Sequence, residues 1–434
     1  MPGCDRLTAA VDAAYFSCQT SNHLTAHVHA SHEEPALSDF DGIAGLDLDT
    51  IERRIRAFEA YGNHRTGWAA DDRSGAWLRD ELKGVGVAGA LERFDFIRVE
   101  YRNARITWAG GFVEGTPMYD GGFTDFGGIQ GELCDENDSD PFGKIIVAGA
   151  TARGDQRWTG TDVRVFYDDL FEKGLIAAVV PTGDPDGNVV LRDALHIRTP
   201  FDIPVLQISA KDHRTLSTAT MLGSAEVKLE ADGERLKSRA NNVVATVPGS
   251  DSEADPVVVL VQRSGWFGAA GERGAGVAIW LAVAEAIAKE QPHRPVQFLA
   301  ASGAELRNTG LEFHLRAHPG LAKRSVTFLD LGPSLGARDA SARIAASDAP
   351  LLEGAGAAVT SHFATKVPAN EPGDPGDSTT AKSIATASPR YVSFSATHPY
   401  ARSAGDTFDR VDLDATAAWA RAALTTLRGI LAEG

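Results

Sequence analysis

The sequence predicts an α/β fold, a mostly parallel mixed sheet flanked by helices with a β-rich unit ahead of its main part. Residues 240–434 alternate short apolar runs with amphipathic stretches at helical spacing, the pattern of a parallel sheet covered on both faces. Residues 115–235 carry a second, smaller set of such runs, punctuated by Gly/Pro/Asp turns such as 182–187. Polar and acidic residues cluster where the later strands end, which is where ligands sit in sheets of this kind.

In chain order, 49–61 reads as a helix with Ile51, Ile55 and Phe58 on one face and Asp49 or Thr50 as its cap. A shorter helix follows at 74–82, then strands at 94–99 and 104–108. The middle segment offers strands at 144–148, 175–180, 204–209 and 225–229. Its helices are 165–174, closed by a glycine, and 212–222. The last segment offers strands at 243–247, 257–262, 296–301, 326–331 and 391–395, with helices at 276–289, 310–316 and 413–431. Residues 370–377 (NEPGDPGD) read as a loop. The implied division is 1–114, 115–235 and 236–434.

A chain of 434 residues exceeds one ordinary core, and 43% hydrophobic content is that of a soluble protein. No run of about 18 apolar residues is present, so no membrane span is expected. A net charge of −17 argues against nucleic acid and anionic membrane as partners. A small-molecule substrate remains, and a homo-oligomer is left open. Cys4, Cys18 and Cys134 show neither paired nor metal-type spacing, and no secretory signal stands at the start; a cytoplasmic protein is expected.

The runs GKIIVAGA, FEKGLIAAVVPTGD, IPVLQIS and RANNVVATVPG, in that order, resemble the zinc exopeptidase family of bacterial leucyl aminopeptidases. The resemblance covers about 49–430. It implies that 115–235 is an inserted protease-associated-like domain. It also implies a site in which a carboxylate bridges two zinc ions, two histidines and two further acids complete them, and a separate glutamate serves as base. Matched motif by motif, this sequence departs from that pattern. VVVLVQRS has Gln262 at the first histidine place and Ser264 at its supporting aspartate. GAAGERGAG has Glu272 at the bridging place. FLAASGAEL has Ala304 at the base place and keeps Glu305. FLDLG keeps Asp330. GDSTTA keeps Asp377 and has Ser378 for a histidine. RSAGDTFDRVD has Arg402 at the last histidine place and keeps Asp406.

Both histidine ligands and the base are therefore missing. An oxygen-only set binds zinc poorly, so no metal cofactor is expected, with Mg²⁺ or Ca²⁺ the chemical alternative. Arg402 is expected to bridge Glu305 and Asp330, with Arg273 assisting, since a guanidinium can replace a cation among crowded carboxylates. Glu305, Glu272, Asp330 and Arg402 are the catalytic candidates, with Glu305 or Glu272 as base. Gln262, Trp266, Arg273 and His398 are the substrate-binding candidates; His398 is also open as a relocated ligand or acid–base group. Trp266 either stacks on a substrate or walls the pocket. Ser264 and Ser302 read as loop serines. His314 and His318 have metal-type spacing but no glutamate motif, so they are expected to face solvent. Three functions follow: an altered hydrolase or lyase acting on a small amino-acid-like or carboxylated molecule, a non-catalytic binding protein, or a metallo-aminopeptidase with changed ligands.

Overall fold

The computed structural model describes residues 40, 42–149, 156–160, 163–221, 226–388 and 390–433. Cys4 and Cys18 lie outside these; Cys134 is a buried free thiol. The strands are β1 Gly89–Trp108, β2 Gly111–Glu114, β3 Thr116–Pro117, β4 Ile129–Cys134, β5 Ile145–Val147, β6 Ala177–Thr182, β7 Val205–Ser209, β8 Glu226–Val247, β9 Val257–Gln262, β10 Val296–Ala301, β11 Thr327–Leu331, β12 Ser341–Ala346 and β13 Tyr391–Thr397. The helices are α1 Leu48–Glu59, α2 Ala69–Gly84, α3 Gln156–Thr159, α4 Arg164–Glu172, α5 Ala210–Met221, α6 Ala275–Glu290, α7 Thr309–Ala317, α8 Leu321–Arg324, α9 Ala349–Thr360, α10 Thr379–Ala387 and α11 Leu413–Ala432.

The strands join in the order β12-β13-β11-β9-β10-β8-β4-β5-β6-β7-β3, with β1 paired to β8 and β2. β13, β11, β9 and β10 run parallel, so their carboxyl ends share one rim. β9 shows why these strands are unbroken apolar runs: Val257, Val259 and Val261 pack into one core with α6, α9 and α11, while Val258 and Leu260 pack into another with Leu311, Leu321 and Ile384. Each fully buried valine or leucine contributes about 1.5–3 kcal/mol. Covering both faces leaves no polar positions to alternate.

The structure departs from expectation in several places. The expected strand pairs 94–99/104–108 and 225–229/243–247 are each one long strand. β1 and β8 pair antiparallel from Gly89↔Ala245 to Thr107↔Lys228, with an irregularity between Tyr101 and Asn103. The ribbon's polar centre is held by cross-strand ion pairs, Arg102–Asp232 at 2.7 Å and Arg105–Glu230 at 2.7 Å, which break the apolar pattern. β8 also runs unbroken through position 235, so the middle segment and the main sheet share it. Finally, α1 starts after Asp47, whose side chain makes no capping bond, and neither Asp49 nor Thr50 is the cap. Among the described residues, no helix is long and apolar enough to cross a membrane.

Candidate functional site

The rim of the parallel strands carries Gln262 to Trp266 after β9, Ser302 to Glu305 after β10, Asp330 near the end of β11 and His398 after β13. A π-helical turn, Ala270–Gly274, leads into α6 and carries Glu272 and Arg273. Asp406 caps that turn, its carboxylate accepting from the N–H groups of Gly271 and Glu272 at 2.9 Å each. A side chain at 271 would collide with that carboxylate, which explains the glycine.

The middle segment closes over this rim. Ala194 N donates to the Glu305 carbonyl at 2.7 Å, Leu191 N to the Arg402 carbonyl at 3.0 Å, and Trp266 Nε1 to Asp193 at 2.9 Å. Between them lies a cavity of about 960 Å³ walled by Asp193, Glu272, Arg273, Asn308, His398 and Arg402, with Arg192, Arg343 and Asp377 farther round. Asn308, Ser334, Asp339 and Arg402 line it with positive φ, four of the seven such non-glycine residues among those described. Strain of this kind persists where the surrounding structure enforces it, commonly at functional sites.

Glu305 sits behind the cavity wall, 1% exposed. Thr66 N and Oγ1 both donate to its Oε1 at 2.7 Å, and Ser264 Oγ donates to its Oε2 at 2.7 Å. Burial raises its pKa against these hydrogen bonds, which lower it. Asp330 is also buried. Ser393 Oγ donates to its Oδ2 at 2.7 Å, and its Oδ1 has no hydrogen-bond partner. Burial pushes this carboxyl up to about 7, opposed by Ser393 and the charge of Arg273. Glu272 accepts from Arg273 Nη2 at 3.0 Å and from Arg402 N at 3.0 Å.

Arg402 therefore does not bridge Glu305 and Asp330. Its guanidinium is 39% exposed and reaches Asp193 at 3.7 Å, while its backbone N–H donates to Glu272 at 3.0 Å. Its backbone is held at a φ of 61°. Arg273, expected only to assist, is the buried arginine beside Glu272. A second arginine works underneath. Arg263, 0% exposed, donates to Asp71 Oδ1 at 2.6 Å and also to the Asn241 carbonyl. Asp71, raised to about 6 by burial against Arg263, also accepts from Gly67 N and Ser302 Oγ. A guanidinium ending an apolar strand has to be paired, and that was the sequence signal for this ion pair.

Trp266 is 1% exposed, packs edge-on against Tyr119 at 4.8 Å and belongs to a hydrophobic cluster with Phe94, Phe96 and Leu191. Gln262 is buried too, its Nε2 donating to Asn308 at 3.2 Å while its Oε1 has no partner. His398 lines the cavity; neither ring nitrogen makes a hydrogen bond, and Nε2 lies 3.7 Å from Asp406. Ser264 and Ser302 bond the site's acids and are not idle loop serines. His314 and His318 do not simply face solvent. Both meet Glu92, at 2.8 Å each, a residue that gave no sign in the sequence because it lies more than 220 positions away.

No family model and no curated protein matches the sequence. Solved structures do. A zinc aminopeptidase from Bacillus subtilis superposes with a TM-score of 0.72 at 14% identity, over 88% of this chain and 95% of that one. A peptidase M28 precursor from Shewanella amazonensis gives 0.70 at 16%, over 91% and 97%. An aminopeptidase from Aneurinibacillus gives 0.64 at 14%, over 90% and 95%. This chain has the zinc-aminopeptidase fold. The donor set at the positions matched to the zinc ligands does not fit a pair of zinc ions. Those positions hold an amide, an arginine-paired glutamate, a glutamate satisfied by Thr66 and Ser264, a buried aspartic acid and an arginine that reaches Asp193, with no imidazole among them.

Proposed function

We propose that this aminopeptidase-fold chain is an enzyme of hydrolase or lyase type with a rebuilt, zinc-free site. Its substrate is a small amino-acid-like or carboxylated molecule, held under the middle segment acting as a protease-associated-like cover. The observation that carries this reading is the 960 Å³ cavity, whose wall sets the half-exposed Arg402 guanidinium and the buried Glu272–Arg273 pair beside His398 with both ring nitrogens unbonded. Arg402 and Arg192 suit a substrate carboxylate, and Asp193 and Asp377 suit an ammonium. Proton transfer falls to His398. Glu305, with both oxygens engaged behind the wall, and Glu272, paired with Arg273, are poor bases.

The test is a screen of N-acyl amino acids, amino-acid amides and dipeptides, reading binding by thermal shift and turnover by mass spectrometry. A hit is expected whose kcat falls about 10²–10⁴-fold in His398→Asn, as for loss of an acid–base group, while its KM changes little. Arg402→Ala is expected to raise KM instead. Binding without turnover, unchanged in His398→Asn, would establish a binding protein. Stoichiometric zinc that disappears with Asp330→Asn would establish a metallopeptidase. Either result, or a screen in which nothing binds, overturns the proposal.

A further inference from the structure

Away from the strand-end cavity, β1 and α7 bring three metal-type side chains together. Glu92 lies on β1 opposite Asn242 of β8. His314 on α7 and His318, which caps it, are four residues apart, so their rings fall on one face with centroids 4.5 Å apart. His314 Nδ1 meets Glu92 Oε2 at 2.8 Å, and His318 Nε2 meets Glu92 Oε1 at 2.8 Å. The three ligand atoms all lie within 4.8 Å of one another. Exposure is graded: His314 and Glu92 are largely buried, whereas the His318 side chain is 51% exposed. Both histidines line a second cavity, of about 750 Å³, distinct from the first.

We propose that Glu92, His314 and His318 bind one divalent transition-metal ion of the zinc class, with its fourth position turned toward this second cavity. Two imidazoles and a carboxylate suit zinc, cobalt or nickel, whereas magnesium and calcium prefer all-oxygen sets. A tetrahedral ion with bonds of about 2.0–2.1 Å holds its ligand atoms about 3.3 Å apart. The Glu92–histidine distances of 2.8 Å come within half an ångström of that, so small side-chain rotations admit the ion. Asn242 supplies the outer support such sites need. Its Nδ2 donates to Glu92 Oε2 at 3.0 Å and to the Gly310 carbonyl at 3.0 Å, while its Oδ1 accepts from Ser302 N at 3.2 Å. The ion would thus pin α7 against the β1–β8 ribbon. This proposal stands on different residues from the catalytic reading and does not depend on it.

The experiment uses the full chain stripped with chelator, dialysed and titrated with zinc, with bound metal counted by mass spectrometry. The chain holds twelve histidines, including His23, His27, His29 and His32, so the signal is a difference between variants. Wild type is expected to bind one equivalent more than His318→Ala, a half-exposed position where substitution leaves the fold intact. Asn242→Ala is expected to weaken that equivalent about 10–100-fold. Asp330→Asn and a variant with serine at positions 23, 27, 29 and 32 are expected to keep it. Cobalt in place of zinc is expected to give visible tetrahedral absorption that His318→Ala abolishes and His318→Cys retains. Equal metal content and equal cobalt spectra in wild type and His318→Ala would overturn the proposal. Loss of the equivalent in Asp330→Asn but not in His318→Ala would place the metal in the strand-end cavity, and so refute this proposal and the zinc-free reading together.

Discussion

Replacing Asp330 by asparagine isolates one buried carboxyl and asks whether the strand-end site is free of metal. The substitution is close to isosteric, and the asparagine oxygen can still accept from Ser393 Oγ. In the folded chain this group is raised from 3.8 to about 7 by burial. Between those two values the unfolded chain has lost the proton and the folded chain keeps it, so wild-type stability falls as pH rises at about 1.4 kcal/mol per unit. Below 3.8 both states are protonated and above 7 both are ionised, so the effect is flat outside that window. The full span is of the order of 4 kcal/mol, and water entry and relaxation reduce it. Asparagine does not titrate. Asp330→Asn should therefore gain on wild type progressively from about pH 4.5 to 7 and hold that gain above. Urea unfolding of both proteins at pH 5, 6, 7 and 8 measures it, and subtracting one curve from the other removes the titrations they share, such as that of Asp71. A zinc-bound Asp330 would be ionised throughout and the variant destabilised at every pH; that outcome, or a difference independent of pH, would refute the reasoning.

Arg263→Met should destabilise by about 3–5 kcal/mol, because it leaves the Asp71 carboxylate buried without its guanidinium, and Arg263→Met/Asp71→Asn should recover part of that loss; chemical denaturation at pH 7 checks both. His64 is held down at about 3 by burial, against its bond to the Phe58 carbonyl and with the charge of Arg263 adding to the fall, so it stays neutral when folded. As pH drops from about 6.5 toward 3, the unfolded chain takes up a proton that the folded chain refuses, and stability is lost. His64→Gln should make the acid limb of the stability profile shallower by one proton, which denaturation at pH 4–7 measures. Arg402→Gly relieves a φ of 61° and an ion contact of only 3.7 Å, so it should leave stability unchanged or raise it by up to about 1 kcal/mol while weakening ligand binding; a melting scan with a binding titration separates the two effects.

Much of the fold was legible because the deciding patterns are local. β9, β10, α6 and α11 fall within a residue or two of the expected ranges, since continuous apolar runs and a 3.6-residue period survive without knowledge of partners. α9 was missed although Leu351, Ala355, Ala358 and Val359 form its buried face, because alanines and glycines blur the contrast between faces. The centre of β8 was missed because its charges pair across the ribbon and do not alternate with apolar residues. The site divides along the same line. Strand-end positions were readable, so Glu272, Glu305, Asp330 and His398 were singled out. The earlier half of each long-range pair was not: Thr66, Asp71 and Glu92 meet Glu305, Arg263 and His314 roughly 190 to 240 positions later, and no spacing announces such meetings.

The pairings also bear on the proposal that the strand-end site has been rebuilt. Decay would leave the acids at the strand ends facing one another without counter-charge, an arrangement that low-dielectric surroundings penalise heavily. Instead each acid has its own local answer. Glu272 has the Arg273 guanidinium, Glu305 has Thr66 and Ser264, Asp71 has Arg263, and Asp330 has Ser393 together with a pKa near 7. Two of the answers, Arg263 and Ser264, are adjacent residues just after β9. With two fixed positive charges against four acids, the interior carries two excess negative charges if every acid is ionised and one if Asp330 keeps its proton. The burial that raises Asp330 thus removes one of the two charges that the arginines leave uncompensated. Substitution at Arg263 should shift the protonation of Asp71, and substitution at Arg273 that of Asp330, since each guanidinium opposes the burial that raises its acid.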